Sequence, residues 1–210
     1  MKIKKFLLAA TALLAVAGAS AQKSTYSNNK AFFGARLSLD ITCPGEAKDD
    51  HVSIDAFKSG VGVDGGVIYN IPFYRNFYFE PGLSLYYNTT GLDKDVFEVD
   101  GSLREFGFRV PFKFGYRFDF RPCSLFVFTG PEFECGLSGK IHAKSGKVSE
   151  STDMYDDFNR ASLGWLFGAG LSVDNFYVQL EQKIGVTDRM KDDGTWRNGR
   201  FSLSIGYNFK

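Results

Sequence analysis

The 210 residues carry 25 Lys+Arg against 24 Asp+Glu, a formal net charge of +1, and no nucleic-acid partner is expected of so near-neutral a chain. The chain is rich in aromatic residues and glycine, with 22 Phe, 10 Tyr and 23 Gly. Its single long apolar run lies at the N-terminus, which excludes a helical membrane protein.

Met1 to Ala21 reads as a secretory signal. Lys2, Lys4 and Lys5 form the positive end, Phe6 to Ala17 the apolar centre, and Ala19-Ser20-Ala21 the small-x-small cleavage site. The run is short for a bilayer span of about 20 residues, and no Cys follows the cleavage site to take a lipid anchor. The mature chain is expected to begin at Gln22, with residues 22–30 a short periplasmic segment and residues 31–209 one domain.

From there a period of two recurs to the C-terminus. It predicts strands at about 31–41, 57–70, 76–88, 105–118, 124–137, 160–173, 176–187 and 200–209. The clearest is 105–118: Phe106, Phe108, Val110, Phe112, Phe114, Tyr116 and Phe118 share one face, and Glu105, Gly107, Arg109, Pro111, Lys113, Gly115 and Arg117 the other. In the last strand Phe201, Leu203, Ile205, Tyr207 and Phe209 oppose Ser202, Ser204, Gly206 and Asn208. Similar apolar faces are Phe33/Ala35/Leu37/Leu39, Phe77/Phe79/Leu83/Leu85, Leu163/Trp165/Phe167/Leu171 and Val178/Leu180/Ile184/Val186.

The connections alternate in length: 42–56, 89–103, 138–159 and 188–199 are long, whereas 71–75, 119–123 and 174–175 are short. An all-β, eight-stranded antiparallel up-and-down transmembrane barrel, with short periplasmic turns and long external loops, accounts for both patterns. Tyr69, Phe73, Tyr74, Phe77, Phe118, Phe120, Phe176 and Phe209 would form a periplasmic aromatic belt, and Tyr87, Phe133 and Phe201 a sparser outer one. A soluble lipocalin-like barrel would turn the apolar faces inward instead.

With the apolar faces outward, Arg36, Asp40, Asp64, Glu80, Arg109, Lys113, Arg117, Glu132, Glu134, Glu181 and Lys183 point into the lumen. An eight-stranded barrel is just wide enough for side chains to fill, so these charges must pair and plug it. Inward glycines, among them Gly34, Gly66, Gly82, Gly107, Gly115, Gly130, Gly164, Gly168, Gly170 and Gly206, are expected to make room for the long side chains. Pro81, Pro111 and Pro131 fall in mid-strand, where a bulge is expected to absorb each lost donor.

Little else carries chemistry. Gly60-Val-Gly62-Val-Asp-Gly65 fits a dinucleotide pattern but lies in a strand with no helix after it. His51, beside Asp49 and Asp50, and His142 read as polar loop residues rather than a catalytic dyad. Cys43, Cys123 and Cys135 are expected as free thiols, a Cys43–Cys135 bridge being the alternative. The external loops are net acidic; Asp153/Asp156/Asp157 and Asp192/Asp193 could hold a divalent cation, but a solvated acidic rim is the simpler reading. No cofactor, metal or catalytic residue is expected.

Phe79-Glu80-Pro81-Gly82-Leu83-Ser84-Leu85-Tyr86-Tyr87, Arg109-Val110-Pro111-Phe112-Lys113-Phe114-Gly115-Tyr116, Thr129-Gly130-Pro131-Glu132-Phe133 and the closing strand to Phe209 together resemble the PorT-like family of small Gram-negative outer-membrane β-barrels. Lys210 departs from that pattern by following the terminal aromatic. The resemblance implies an outer-membrane protein without shared catalytic residues, and in some members an association with protein secretion. The partners expected are outer-membrane lipid, the barrel assembly machinery during biogenesis, and envelope proteins. The function expected is a structural or interaction role through the external loops. An accessory of secretion or assembly and a narrow solute channel are the alternatives, with an outer-membrane hydrolase or acyltransferase last.

Overall fold

The computed structural model describes residues 30–45, 47–49, 52–54, 58–91, 100–120, 122–145, 148–156, 158–191 and 196–209. The signal at 1–21, nearly all of the 22–30 segment and the Asp50-His51 pair lie outside the described residues.

Eight long strands form the wall: β1 (Phe32–Pro44), β2 (Gly60–Tyr74), β3 (Phe77–Gly91), β4 (Asp100–Phe120), β5 (Cys123–Ser145), β6 (Ala161–Val173), β7 (Phe176–Gly185) and β8 (Asn198–Phe209). Each pairs antiparallel with its neighbours in sequence, and β1 pairs with β8 from Phe33↔Phe209 to Pro44↔Asn198, which closes the barrel. Every predicted strand is present, and the long and short connections alternate as expected.

The physical choice between a membrane barrel and an inverted soluble one is made by burial. Phe33 and Leu37 are 61% and 58% exposed, whereas Arg109 and Glu132 are 0% exposed. Apolar side chains line the outside and ionic ones the inside, opposite to a soluble barrel. From Phe106 to Phe118 on β4 the apolar face runs about 30 Å at the tilt of such barrels, the height of a bilayer core. The rings expected in the lower belt cluster beside the short turns, with Phe77–Tyr116 and Phe176–Tyr207 meeting edge to face at 4.8 and 4.9 Å between centroids.

The short turns are tight. Arg75 and Asp174 lead two-residue turns at φ 47° and 53°, a left-handed conformation that a branched side chain resists. Arg75→Val is therefore expected to lower stability by about 1–2 kcal/mol, measured as a shift in the urea midpoint of the detergent-folded protein, with Arg75→Gly at or above the parent.

Two expectations need correction. Pro81, Pro111 and Pro131 carry no bulge: Ile68↔Gly82 and Ile71↔Phe79 keep one register across Pro81, as do Val110↔Phe133 and Phe114↔Thr129 beyond Pro111, and Pro131 itself pairs with Trp165. A strand N–H faces only one neighbour, so a proline removes a rung on one side without demanding an inserted residue. The register shifts instead between Pro72 and Tyr74, beside a turn, and at Phe106/Gly107, where Leu137 is the extra residue on β5.

The segment 138–159 is not simply a loop. β5 continues to Ser145 and pairs with a further strand, Val148–Asp153, followed by a 3-10 turn at Met154–Asp156. With the end of β3 and the start of β4 this raises one side of the wall well above the other. His142 stands in that strand extension, opposite Ser102 and Ser151, rather than in a loop. Residues Ala47–Asp49 and Val52–Ile54 form a separate small hairpin.

Candidate functional site

The lumen is filled in three layers. Nearest the short turns lie Ile68, Tyr78, Phe126, Phe128 and Tyr177. The aromatic members are inward-facing exceptions to the apolar-out rule, and each sits over a glycine directly across from it: Tyr78 over Gly115, Phe126 over Gly170, Phe128 over Gly168 and Tyr177 over Gly206. Higher up, Tyr86 is seated in the same way on Gly107. A Cβ at any of these glycines would overlap the ring. Half of the ten inward glycines thus seat rings, correcting the expectation that they accommodate charged chains; Gly164, against the Lys183 stem, does serve the expected role.

The middle layer is ionic. Arg109 reaches Asp40 at 2.6 Å, Asp64 at 3.0 Å and Glu134 at 2.8 Å, with its guanidinium 4.1 Å from the centroid of the Tyr86 ring. Arg200 donates to both Glu132 oxygens at 2.8 and 3.0 Å and to Glu181 at 3.1 Å. Lys113 lies 2.7 Å from Glu181, Lys183 lies 3.1 Å from Glu134, and Arg36 spans Asp64 and Glu181 at 3.6 and 3.7 Å. Ser38 donates its one hydroxyl proton to Asp64 at 2.9 Å and lies within hydrogen-bond distance of the Ser204 hydroxyl, also at 2.9 Å, tying the network to β8.

The structure places all eleven lumen residues expected from the sequence on the inner wall, but does not join them in one cluster. Glu80, half-buried, accepts from Asn70 at 2.8 Å and shares the lower cavity with Arg117, whose guanidinium lies 5.3 Å from the Tyr78 ring centroid. The sequence reading omitted Arg200, Glu105 and Arg189. Adding these gives seven cations (Arg36, Arg109, Lys113, Arg117, Lys183, Arg189, Arg200) and seven carboxylates (Asp40, Asp64, Glu80, Glu105, Glu132, Glu134, Glu181). Parity alone could have found Arg200, which alternates with Ser202 and Ser204, and Glu105, which lies on the inward face of β4. No local signal marks Arg189, because it enters the lumen from a loop.

That loop makes the third layer. Arg189 grips Glu105 through both terminal nitrogens, and the Tyr155 hydroxyl donates to the same carboxylate at 3.0 Å. Burial, and then the Glu105 charge, push the Tyr155 hydroxyl well above its usual pKa. Burial opposes the Arg189 charge, but Glu105 overcomes it and holds the guanidinium above its ordinary value. Above them Leu103, Met154, Tyr155, Phe158 and Trp196 form a second apolar cluster across the mouth. Asp188 accepts from the Met190 and Trp196 backbone N–H groups at 3.0 and 2.8 Å, and Lys191 donates to the Tyr155 and Asp156 carbonyls at 2.7 and 3.0 Å. The 186–191 segment and Trp196 are thereby pinned onto residues 154–156 and 158–160 as a cap.

Between cap and network lies a cavity with room for a water or two, lined by Thr42, Asn88, Glu105, Arg189 and Asn198. Asp153, one of the candidate cation ligands, instead accepts from the Tyr155 backbone N–H at 2.9 Å; Asp157, Asp192 and Asp193 lie outside the described residues. Among the described residues no group of three His, Cys, Asp or Glu converges as a metal site. Cys43, Cys123 and Cys135 are free thiols.

A family model described as the outer membrane protein beta-barrel domain matches residues 20–190, most of the chain. The chain belongs to this outer-membrane β-barrel family. No curated protein matches it. Among solved structures it is similar to OprG of Pseudomonas aeruginosa, at 10% identity over 86% of this chain and 96% of that one (TM-score 0.48). It is also similar to Neisserial surface protein A, at 14% identity over 86% and 100% (TM-score 0.47). A third is Ail, the attachment invasion locus protein of Yersinia pestis, at 20% identity over 86% and 99% (TM-score 0.45). No role passes from these to the present chain. As an outer-membrane barrel, it presents the apolar outer wall to lipid and the capped mouth on the long-loop side.

Proposed function

We propose that this barrel is exported by its N-terminal signal to the Gram-negative outer membrane and acts there as a non-conducting, non-enzymatic anchor, presenting its raised external wall and cap to surface or envelope partners. The observation that carries this reading is the lumen itself. Aromatic rings on glycine seats, an ionic layer of paired charges and a pinned cap occupy its length. A solute path would have to break buried ion pairs, which is costly in a low dielectric. In planar bilayers the purified protein is expected to give no stable conductance steps, and Trp196→Ala, which opens only the cap, is expected to give none either. Steps in the parent that disappear on substituting Lys113 or Glu132 would make it a channel.

A second reading is favoured by the prolines. Pro81, Pro111 and Pro131 stand side by side on β3, β4 and β5, and they carry the PorT-like resemblance, which points to an accessory of protein export or assembly. Crosslinking and pull-down from intact membranes separates the two. A discrete envelope complex retained by the parent and lost when the three prolines are replaced would support the accessory role.

A further inference from the structure

The outer wall carries a pair of like charges, with a third cation on the same side, which the one in-register carboxylate among the described residues does not balance. Arg104 on β4 and Lys140 on β5 are direct cross-strand partners, both exposed. Like charges facing across strands are destabilising unless something compensates them. Arg160 lies on the same side of the barrel, its guanidinium stacked 4.3 Å from the Tyr155 ring centroid. Asp153, opposite Lys140, is the carboxylate in register among the described residues; it accepts from the Tyr155 backbone N–H at 2.9 Å and keeps its charge, so one carboxylate faces three cations.

The pair exists only because of the bulge at Leu137. Below it, the even-numbered residues of β5, Glu132 and Glu134, point into the lumen; above it Ser138 and Lys140 point outward beside Phe106 and Arg104. One row beneath the cations lie Tyr87, Phe106 and Leu137, 44%, 39% and 50% exposed, at the top of the lipid-facing band. Two residues along a strand separate the rows by about 7 Å. Cations this far above an apolar platform stand at headgroup depth, with acyl chains able to run down the rings below them.

We propose that Arg104 and Lys140, with Arg160 beside them, form a binding site for the phosphorylated headgroup of an anionic outer-leaflet lipid. The lipid phosphate adds the counter-charge that Asp153 alone does not supply, and its chains continue the apolar interface already made by the barrel wall. The site lies on the outer wall, touches the cap through the stack of Arg160 on Tyr155, and is independent of whether the lumen conducts.

The test uses the full-length mature barrel, folded in detergent and washed, with lipid A as the probe and retention read by native mass spectrometry. The parent is expected to retain lipid A, and Arg104→Gln/Lys140→Gln to retain roughly thirtyfold less, as expected for losing two surface cations. Arg197→Gln, at an exposed cation just before β8, is expected to match the parent. Dephosphorylated lipid A should be retained weakly by every variant. A stability readout guards against misfolding. In phosphatidylcholine vesicles the double variant should unfold at the same or higher urea than the parent, because a repulsion is removed; on adding lipid A only the parent should gain. Equal retention of lipid A by parent and double variant, or equal retention with and without phosphate on the lipid, overturns the proposal, as does displacement of the bound lipid by millimolar inorganic phosphate with no difference between the variants.

Discussion

Arg109→Leu is expected to be the most damaging single substitution in the barrel, lowering its unfolding free energy by about 3–5 kcal/mol. Arg109 is fully buried and serves three carboxylates from three different strands: Asp40 on β1, Asp64 on β2 and Glu134 on β5. Leucine fills part of the volume but leaves those three oxygens facing one another. The remaining cations compensate unevenly. Glu134 keeps Lys183 at 3.1 Å, whereas Asp64 keeps only Arg36 at 3.6 Å and Asp40 only Arg200 at 4.0 Å. Arg109→Lys should recover only part of the loss, since one ammonium cannot reproduce the planar fork that spans Asp40, Asp64 and Glu134. Urea titration of the lipid-folded protein, read by heat-modifiable gel migration, measures both. An unchanged midpoint for Arg109→Leu would falsify the account of the lumen as a mutually dependent ion network. Replacing Arg109 and Asp40 together by apolar residues of similar volume should cost less than Arg109→Leu alone, because the lumen then keeps equal numbers of cations and carboxylates, and Arg200, 4.0 Å from Asp40, keeps Glu132.

Gly206→Leu is the second large effect. Gly206 on β8 lies opposite Tyr177 on β7, and the Tyr177 ring occupies the space where a side chain at 206 would stand. The ring cannot retreat, because Phe126 packs edge-on to it at 6.1 Å and Ile68 and Tyr78 fill the same layer. Overpacking of this kind costs about 1–3 kcal/mol, and in a closed barrel the strain falls on the β7–β8 pairing beside the closing seam. The diagnostic experiment is exchange: Gly206→Tyr with Tyr177→Gly moves the ring to the facing strand at constant volume and should recover most of the stability. If Gly206→Leu folds as well as the parent, the ring-on-glycine seat is not a packing constraint. Gly170→Leu, beneath Phe126, offers an independent repeat of the same geometry.

These two sites differ in how far the sequence revealed them. Arg109 was visible because strict alternation through Phe106–Phe118 assigns it a face, and a charge on the inner face of a narrow barrel has to be paired. Its partners were placed on the inner wall by the same parity, but which carboxylate it meets depends on strand stagger. Gly206 was visible only as a small residue facing inward. Its partner ring was not, because the apolar-out pattern assigns no ring to the inner wall, although parity on their own strands points Tyr177 and Phe126 inward. Lys140 falls within the connection expected at 138–159, and its outward face was not legible for a third reason. The bulge at Leu137 reverses the parity of β5 above it, and a bulge leaves no reliable trace in composition.

By itself, the sequence determined the strand number, the up-and-down order, the alternation of long and short connections, and the direction each strand's faces take, because a two-residue period and turn spacing are local properties written in every segment. The tertiary structure alone decided which charges meet across the lumen, which glycine receives which ring, and how Arg189 and Trp196 fold down to seal the mouth. Those contacts join residues far apart in the chain, and they depend on barrel stagger, on one bulge and on the path of a loop, none of which a local period encodes.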